Sequence, residues 1–312
     1  YACVADYDAG LRVIDVSDPA DPQERGYCET STATGVAVAG SYAYVADGPS
    51  GLRVIDVTDP ASPQECGYCD TPGYAYDVAV AGSYACVADY DAGLRVIDVS
   101  DPANPRECGY HGTPGLAYGV AVAGNHAYVA AYNAGLRVID LSDSANPQER
   151  GYYDTPGLAC GVAVAGSYAY VADYDAGLRV IDVSDPASPQ ECGYHDTPGY
   201  AYDVAVAGSY ACVADQRAGL QVLQFYGGGV EETPKVAVRT ANPMPTVVRG
   251  VLSLPEASSL KPQAASLLDI SGREVLGLKP GANDVSRLAP GVYFVREAQA
   301  QAQAVRKVIV TK

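Results

Sequence analysis

Gly10-Leu-Arg-Val-Ile-Asp-Val16 is the stretch on which the fold turns, because the chain keeps returning to it. Near-copies begin at Gly51, Gly93, Gly135 and Gly177, and a degenerate copy, Gly-Leu-Gln-Val-Leu-Gln, begins at Gly219. The intervals are 41, 42, 42, 42 and 42 residues. A period of about 40–45 residues made only of short strands and turns is the signature of a propeller blade. The chain therefore reads as one unit repeated, followed by a segment that does not repeat.

Residues 78–119 give a clean unit. Val78-Ala-Val-Ala-Gly82 is a short apolar run, and Ser83-Tyr-Ala-Cys-Val-Ala-Asp89 follows after a tight turn. Then come the turn Tyr90-Asp-Ala-Gly93, the strand Leu94 to Val99, the turn Ser100-Asp-Pro-Ala-Asn-Pro105, and Arg106-Glu-Cys-Gly-Tyr110. Four strands are predicted, separated by Gly, Pro and Asp in their usual turn roles. Asp-Ala-Gly suits a type I turn that closes on a left-handed glycine. Blades converge on an axis, so the smallest strand, Val-Ala-Val-Ala-Gly, belongs innermost. The strand Leu-Arg-Val-Ile-Asp-Val is apolar on both faces, as a strand packed between blades must be. The proline-flanked Gln-Glu-Cys-Gly-Tyr segment fits an outer edge. The radial order then follows the sequence order, and Arg12, Arg53, Arg95, Arg137 and Arg179 are expected to pair with the repeating aspartates. Neither end of the series is complete. Tyr1-Ala-Cys-Val-Ala-Asp6 aligns with Tyr84–Asp89, so the chain is expected to start inside a truncated repeat, and the last copy lacks its outer strand.

Composition divides the 312 residues in two. Residues 1–229 carry a net charge of −21 and no lysine, whereas residues 230–312 carry +4. Of the 25 tyrosines, 24 lie in the first segment, which marks a second domain after it. An acidic, lysine-free domain argues against nucleic acid and anionic lipid, since both require a basic footprint. No apolar run approaches the ~20 residues of a membrane span. The domains expected are a propeller over 1–226, a Gly-rich linker over 227–234, and a small β-sandwich over 235–312.

Nine cysteines do not form a disulfide framework, because repeats replace them freely. Cys3, Cys86 and Cys212 share a position with Tyr44, Tyr128 and Tyr170. Free, half-buried thiols are expected. Cys66-Gly-Tyr-Cys69 has a metal-like spacing, but i and i+3 on a regular strand point to opposite faces.

Leu-Arg-Val-Ile-Asp-Val-Ser-Asp-Pro, repeating after Tyr-Val-Ala-Asp, resembles the LVIVD-repeat propellers of bacterial and archaeal surface proteins, over residues 1 to about 226. The resemblance implies an all-β fold outside the cell, with six recognisable blades, four-stranded except for the incomplete first and last. It carries no catalytic residues to transfer. The tail resembles a C-terminal sorting domain of type IX secretion, itself close to an immunoglobulin-like sandwich. The residues that carry this are Asn242-Pro243, Leu267 to Val275 with Gly272 and Arg273, Leu288 to Arg296 with Pro290, Gly291 and Tyr293, and Arg306 to Lys312 with Lys307 and Lys312. It implies export through the outer membrane, with the secretion machinery as partner, and then release or surface attachment.

In a four-stranded blade, the loop between the second and third strands shares one face with the loop that leads into the next blade. Both loops are rich in Tyr and Asp here. The candidate ligand residues are Tyr74, Tyr76, Asp77, Tyr90 and Asp91; Tyr118 and Tyr132; Tyr174 and Asp175; and Tyr200, Tyr202 and Asp203. Such a mouth stacks sugars or clamps a cationic peptide. Tyrosines packed between blades and aspartates capping turns are the structural alternative. Asp89-x-Asp91-x-Gly93 and its copies at Asp6 and Asp173 have the start of a calcium loop without its further ligands or closing Glu. No cofactor is expected. A non-enzymatic binding or adhesion propeller is the leading reading. A secreted carbohydrate-active enzyme and a structural spacer are the alternatives.

Overall fold

The computed structural model describes residues 1–224 continuously and, beyond them, strand segments between Thr246 and Val310. The chain divides into two compact units, Tyr1–Val238 and Arg239–Lys312.

The first unit is an all-β propeller of six blades with no helix among the described residues. Blade 1 comprises Ala2–Ala5, Leu11–Asp15 and Gln23–Cys28. Blade 2 comprises Gly35–Ala39, Tyr42–Ala46, Leu52–Asp56 and Gln64–Cys69. Blade 3 is Asp77–Ala81, Tyr84–Ala88, Leu94–Asp98 and Arg106–His111. Blades 4 and 5 repeat this over Gly119–Tyr153 and Gly161–His195, and blade 6 holds Ala201–Ala207, Tyr210–Asp215 and Gly219–Gln224. Every sheet is antiparallel with its strands in chain order, and first strands of neighbouring four-stranded blades lie side by side, which makes them the inner ones. The first and last sheets have three strands, as the repeat register requires.

Alternation sends the residues of each strand to opposite neighbours. Between blades 3 and 4, Cys86, Ala88, Leu94 and Val96 meet Ala117, Val120, Ala127, Val129 and Ile139. Equivalent clusters fill the junctions 1–2, 2–3, 4–5 and 5–6. The core is thus a series of flat apolar seams rather than one centre, which explains why the third strand is apolar on both sides.

The turn glycine of the motif is left-handed, at φ +76° for Gly93, and a Cβ there would lie 2.4 Å from the His111 carbonyl oxygen. Arg95 has Asp89 at 3.6 Å, Glu107 at 3.4 Å and the Tyr110 ring centroid at 4.8 Å. Each full motif repeats this sandwich of arginine between acids and an outer-strand tyrosine. At Arg137 the acids are Glu149 and Asp154, because Ala131 stands where the other blades carry aspartate.

In the outer strands the alternation is broken. Val54 pairs Gly67 and Ile55 pairs Glu65, so Cys66 is the extra residue of a β-bulge. The bulge turns Cys66 and Cys69 toward the same apolar cluster, where regular alternation predicts opposite faces. Cys66 donates to the Val54 carbonyl at 3.4 Å. All nine cysteines are free thiols. Burial pushes Cys86 and Cys160 up to about 12. Both are therefore expected to resist alkylation of the native protein at pH 8 and to react only on unfolding, as mass mapping of labelled peptides would show.

The second unit holds a five-stranded sheet in the order Thr246–Val248, Val305–Val310, Gly291–Glu297, Ala265–Leu268, Glu274–Leu278, and a pair formed by Val251–Leu254 and Gly281–Asp284. Gly291 and Tyr293 lie on the strand that pairs with the one carrying Lys307. Asn242, Pro243, Gly272, Arg273, Pro290 and Lys312 and the linker 227–234 lie outside the described residues.

Candidate functional site

The loop before each motif is built on two left-handed residues, not one. Tyr90 sits at φ +49° ahead of Gly93. The Tyr90 amide donates to the Ala117 carbonyl at 3.1 Å, and the Ala117 amide donates back at 2.9 Å. Ala117 leads into the next blade, so this pair of bonds ties consecutive blades together. Tyr7–Ala33, Gly48–Ala75, Tyr132–Ala159 and Tyr174–Ala201 are the same bridge. A non-glycine residue in this conformation costs roughly 1–2 kcal/mol. Gly48 makes the bridge without that strain, yet four of the five bridges use tyrosine at φ 46–49°.

The strained positions gather the rings. Tyr76 lies 4.9 Å from Tyr74, 5.3 Å from Tyr90 and 4.6 Å from Tyr118, centroid to centroid. Tyr118 continues to Tyr132 at 5.0 Å. Tyr174 stacks parallel on Tyr200 at 4.3 Å and meets Tyr202 edge-on at 5.5 Å. All eight predicted tyrosines therefore fall into two aromatic groups on the loop face. Gly48 makes room for the first, since a Cβ there would come within 2.8 Å of the Tyr74 ring. Burial pushes the Tyr74 hydroxyl up to about 12, with a hydrogen bond to Tyr7 adding to the shift. Burial likewise raises Tyr118, with the neighbouring tyrosines contributing.

The predicted carboxylates separate into two kinds. Asp91 and Asp175 stand exposed at the loop tips. Asp77 is recessed at the start of an inner strand, where Oδ1 accepts from the Val78 amide at 2.8 Å and Oδ2 from the Val120 amide of the next blade at 2.9 Å. Burial lifts Asp77 from 3.8 to about 7, and the charge of Asp203 adds to this. Asp203 accepts from the Val204 amide at 2.8 Å and is shifted upward by burial as well.

The sign of the Asp77 shift makes a prediction. Between its unfolded and folded values the native state holds a proton that the unfolded chain has lost, so stability falls as pH rises through that window. The thermal midpoint of the parent should drop more steeply between pH 4.5 and 7 than that of Asp77→Asn, and the two slopes should match above it. Parallel slopes throughout would mean that Asp77 titrates normally.

In two of the three apparent calcium loops, those of Asp89 and Asp173, the first aspartate is otherwise engaged, whereas Asp6 is exposed beside Arg12. Asp89 is fully buried and accepts from Thr71 Oγ1 at 2.6 Å and from the Gly73 amide at 2.9 Å. Asp173 does the same with Thr155 and Gly157. Both hold the loop between blades in place, which leaves one exposed carboxylate, Asp91 or Asp175, at each of those two tips. Among the described residues no group of three His, Cys, Asp or Glu is placed to hold a metal ion. His111 Nδ1, at the end of the blade 3 outer strand, lies 3.3 Å from the Pro147 carbonyl.

Sequence reasoning missed Tyr7 and Arg217. Tyr7 occupies the strained bridge position in blade 1 and reaches Tyr74. The Arg217 guanidinium lies 5.5 Å from the Tyr200 centroid. Arg217 stands where Asp91 and Asp175 stand in their blades, so the register itself carried the signal.

Radial four-stranded sheets joined by this loop architecture define a β-propeller. The LVIVD repeat family matches residues 1–30, 32–71, 72–113, 114–155, 156–197 and 198–223, and the chain belongs to it. A search of curated proteins finds no sequence match. The fold is similar to that of the computationally designed Ika8 protein, at TM-score 0.57 and 10% identity, covering 98% of this chain and 80% of that one. It is also similar to the β-propeller domain of Myceliophteria thermophila Cps50 (Swd1), at TM-score 0.55 and 13% identity, covering 70% and 76%. No helix among the described residues is long and apolar enough to cross a membrane, which says nothing of β-barrels.

Proposed function

We propose that this chain is an exported, non-enzymatic binding propeller whose tyrosine face takes cationic ligands, such as Lys- or Arg-rich peptide segments, at the cell surface or in the medium. The observation that carries the reading is the choice of tyrosine at Tyr7, Tyr90, Tyr132 and Tyr174, in a backbone conformation that Gly48 adopts without strain. Strain of this kind persists where the ring has work to do. The acidic balance of residues 1–229 and the exposed Asp91 and Asp175 favour cations over anions. Arg217 over Tyr200 is the same contact made within the chain.

Binding on a peptide and glycan array is the test. Tyr118→Ala is expected to weaken capture of basic peptides about tenfold, the effect of ~1–2 kcal/mol from a desolvated cation–aromatic contact. Raised salt should weaken it further. Retention only of neutral glycans would replace the cationic ligand with a sugar. Product release abolished by Asp77→Asn or Asp203→Asn would instead establish a carbohydrate-active enzyme, and an array with no ligand would leave a spacer. The terminal segment, in this proposal, directs type IX secretion. Deleting residues 230–312 should trap the propeller in the periplasm of its host, and normal surface delivery would refute that role.

A further inference from the structure

Tyr174 and Tyr200 lie face to face, with ring centroids 4.3 Å apart and planes within 1° of parallel. Tyr174 belongs to the loop before the third strand of blade 5, and Tyr200 precedes the first strand of blade 6, so the stack spans a blade junction. Backbone bonds hold both ends of it. The Tyr174 amide donates to the Ala201 carbonyl at 3.0 Å, and the Ala201 amide returns a bond to the Tyr174 carbonyl at 2.9 Å. The Gly199 amide donates to Asp215 Oδ2 at 3.0 Å, and the Gln216 amide donates to the Tyr200 carbonyl at 3.1 Å. Two half-buried phenols are thus fixed against each other at the surface.

We propose that this stack is an oxidative cross-linking site, where a one-electron oxidant of the peroxidase class, supplied with hydrogen peroxide, joins Tyr174 to Tyr200 as a dityrosine. Each phenol gives one electron to the oxidant and its hydroxyl proton to water. A phenoxyl radical remains, with unpaired spin on the ring carbons beside the C–O carbon. One such carbon from each ring pairs with the other in a new C–C bond. The hydrogen on each coupled carbon then passes through water to the oxygen of its own ring, and both rings regain aromaticity. Hydrogen peroxide takes up the two electrons and two protons and leaves as two waters.

Orbital geometry selects this pair. The unpaired spin occupies π orbitals, so the bond forms along the ring normals, which a parallel stack points at one another. Tyr202 meets Tyr174 edge-on at 89° and 5.5 Å, and Tyr118 is tilted 27° from Tyr132 at 5.0 Å. Fixed proximity adds the advantage of an intramolecular reaction. The Arg217 charge, 5.5 Å from the Tyr200 centroid, opposes electron loss there, so Tyr174 is the ring oxidised first. The product closes residues 174–200 into a covalent loop across the junction of blades 5 and 6, and it constrains the unfolded chain as a disulfide does.

Tryptic mapping of the dilute full chain, treated with a plant peroxidase and limiting hydrogen peroxide, tests this. Cleavage at Arg179 puts the two tyrosines on separate peptides, 151–179 and 180–217. The oxidised parent should show dityrosine fluorescence and one joined peptide, two hydrogens lighter than the sum, with fragments that place the link at Tyr174 and Tyr200. Tyr174→Phe and Tyr200→Phe, each shown to fold by circular dichroism, should lose that peptide, whereas Tyr202→Phe should keep it. Oxidation of the urea-unfolded chain should scatter links among the other tyrosines. The proposal is overturned if the native chain gives no joined peptide, if the link falls at Tyr202 or on outer-strand tyrosines instead, or if oxidation is spent on cysteine thiols with both rings unlinked. It is equally overturned if the unfolded chain yields the same link, because the fold would then play no part.

Discussion

Leu136→Ala is expected to lower stability by about 2–5 kcal/mol, whereas Leu220→Ala, at the same position of the repeat, changes it by less than about 0.5 kcal/mol. Leu136 is fully buried in the seam between blades 4 and 5, among Tyr128, Val138, Val162 and Val171, and its truncation leaves a cavity that flat sheets close poorly. Leu220 is 67% exposed and leaves nothing behind. Chemical denaturation measures both. Equal losses at the two positions would mean that the blade 6 face is covered within a single chain.

Gly93→Ala is expected to cost about 2–4 kcal/mol, from two sources. The left-handed backbone at φ +76° strains any side chain by roughly 1–2 kcal/mol. The added Cβ would also lie 2.4 Å from the His111 carbonyl oxygen and 2.8 Å from the Thr113 nitrogen, so backbone must move. Gly82 separates these terms. It is left-handed too, at φ +58°, but has nothing within 4 Å of the added Cβ, so Gly82→Ala carries the strain alone. Denaturation midpoints should rank Gly82→Ala between the parent and Gly93→Ala. Equal losses would assign the whole effect to backbone strain and none to the close approach.

The tyrosine face shows where sequence reading runs out. Alignment of the repeats placed Tyr76, Tyr118 and Tyr202 at one register position, and Tyr90, Tyr132 and Tyr174 at another. It did not show that the second position is left-handed, because tyrosine is not a residue from which φ > 0 is predicted. Packing of tyrosines between blades was one of the two readings it left open, but which rings meet was not legible. The aspartates were legible as recurrent and ambiguous as to role. Asp89 and Asp173 proved to secure the preceding loop, Asp77 is recessed against the next inner strand, and Asp203 accepts from the amide of its own strand. The outer strand carried a similar surprise, since a bulge at Cys66 cancels the alternation by which its two thiols were assigned to opposite faces.

The period, the strand order within each blade, the turn glycines and the incomplete first and last blades were all determined by the sequence alone. Each depends on local chemistry: alternation, turn residues and side-chain size act within one repeat and need no knowledge of its neighbours. Only the tertiary structure decided which recurrent residues are caps, which form the aromatic groups, and which apolar faces remain open. Those properties arise between blades. The same Leu is sealed at position 136 and bare at position 220 because a neighbour stands against the first face and not the second.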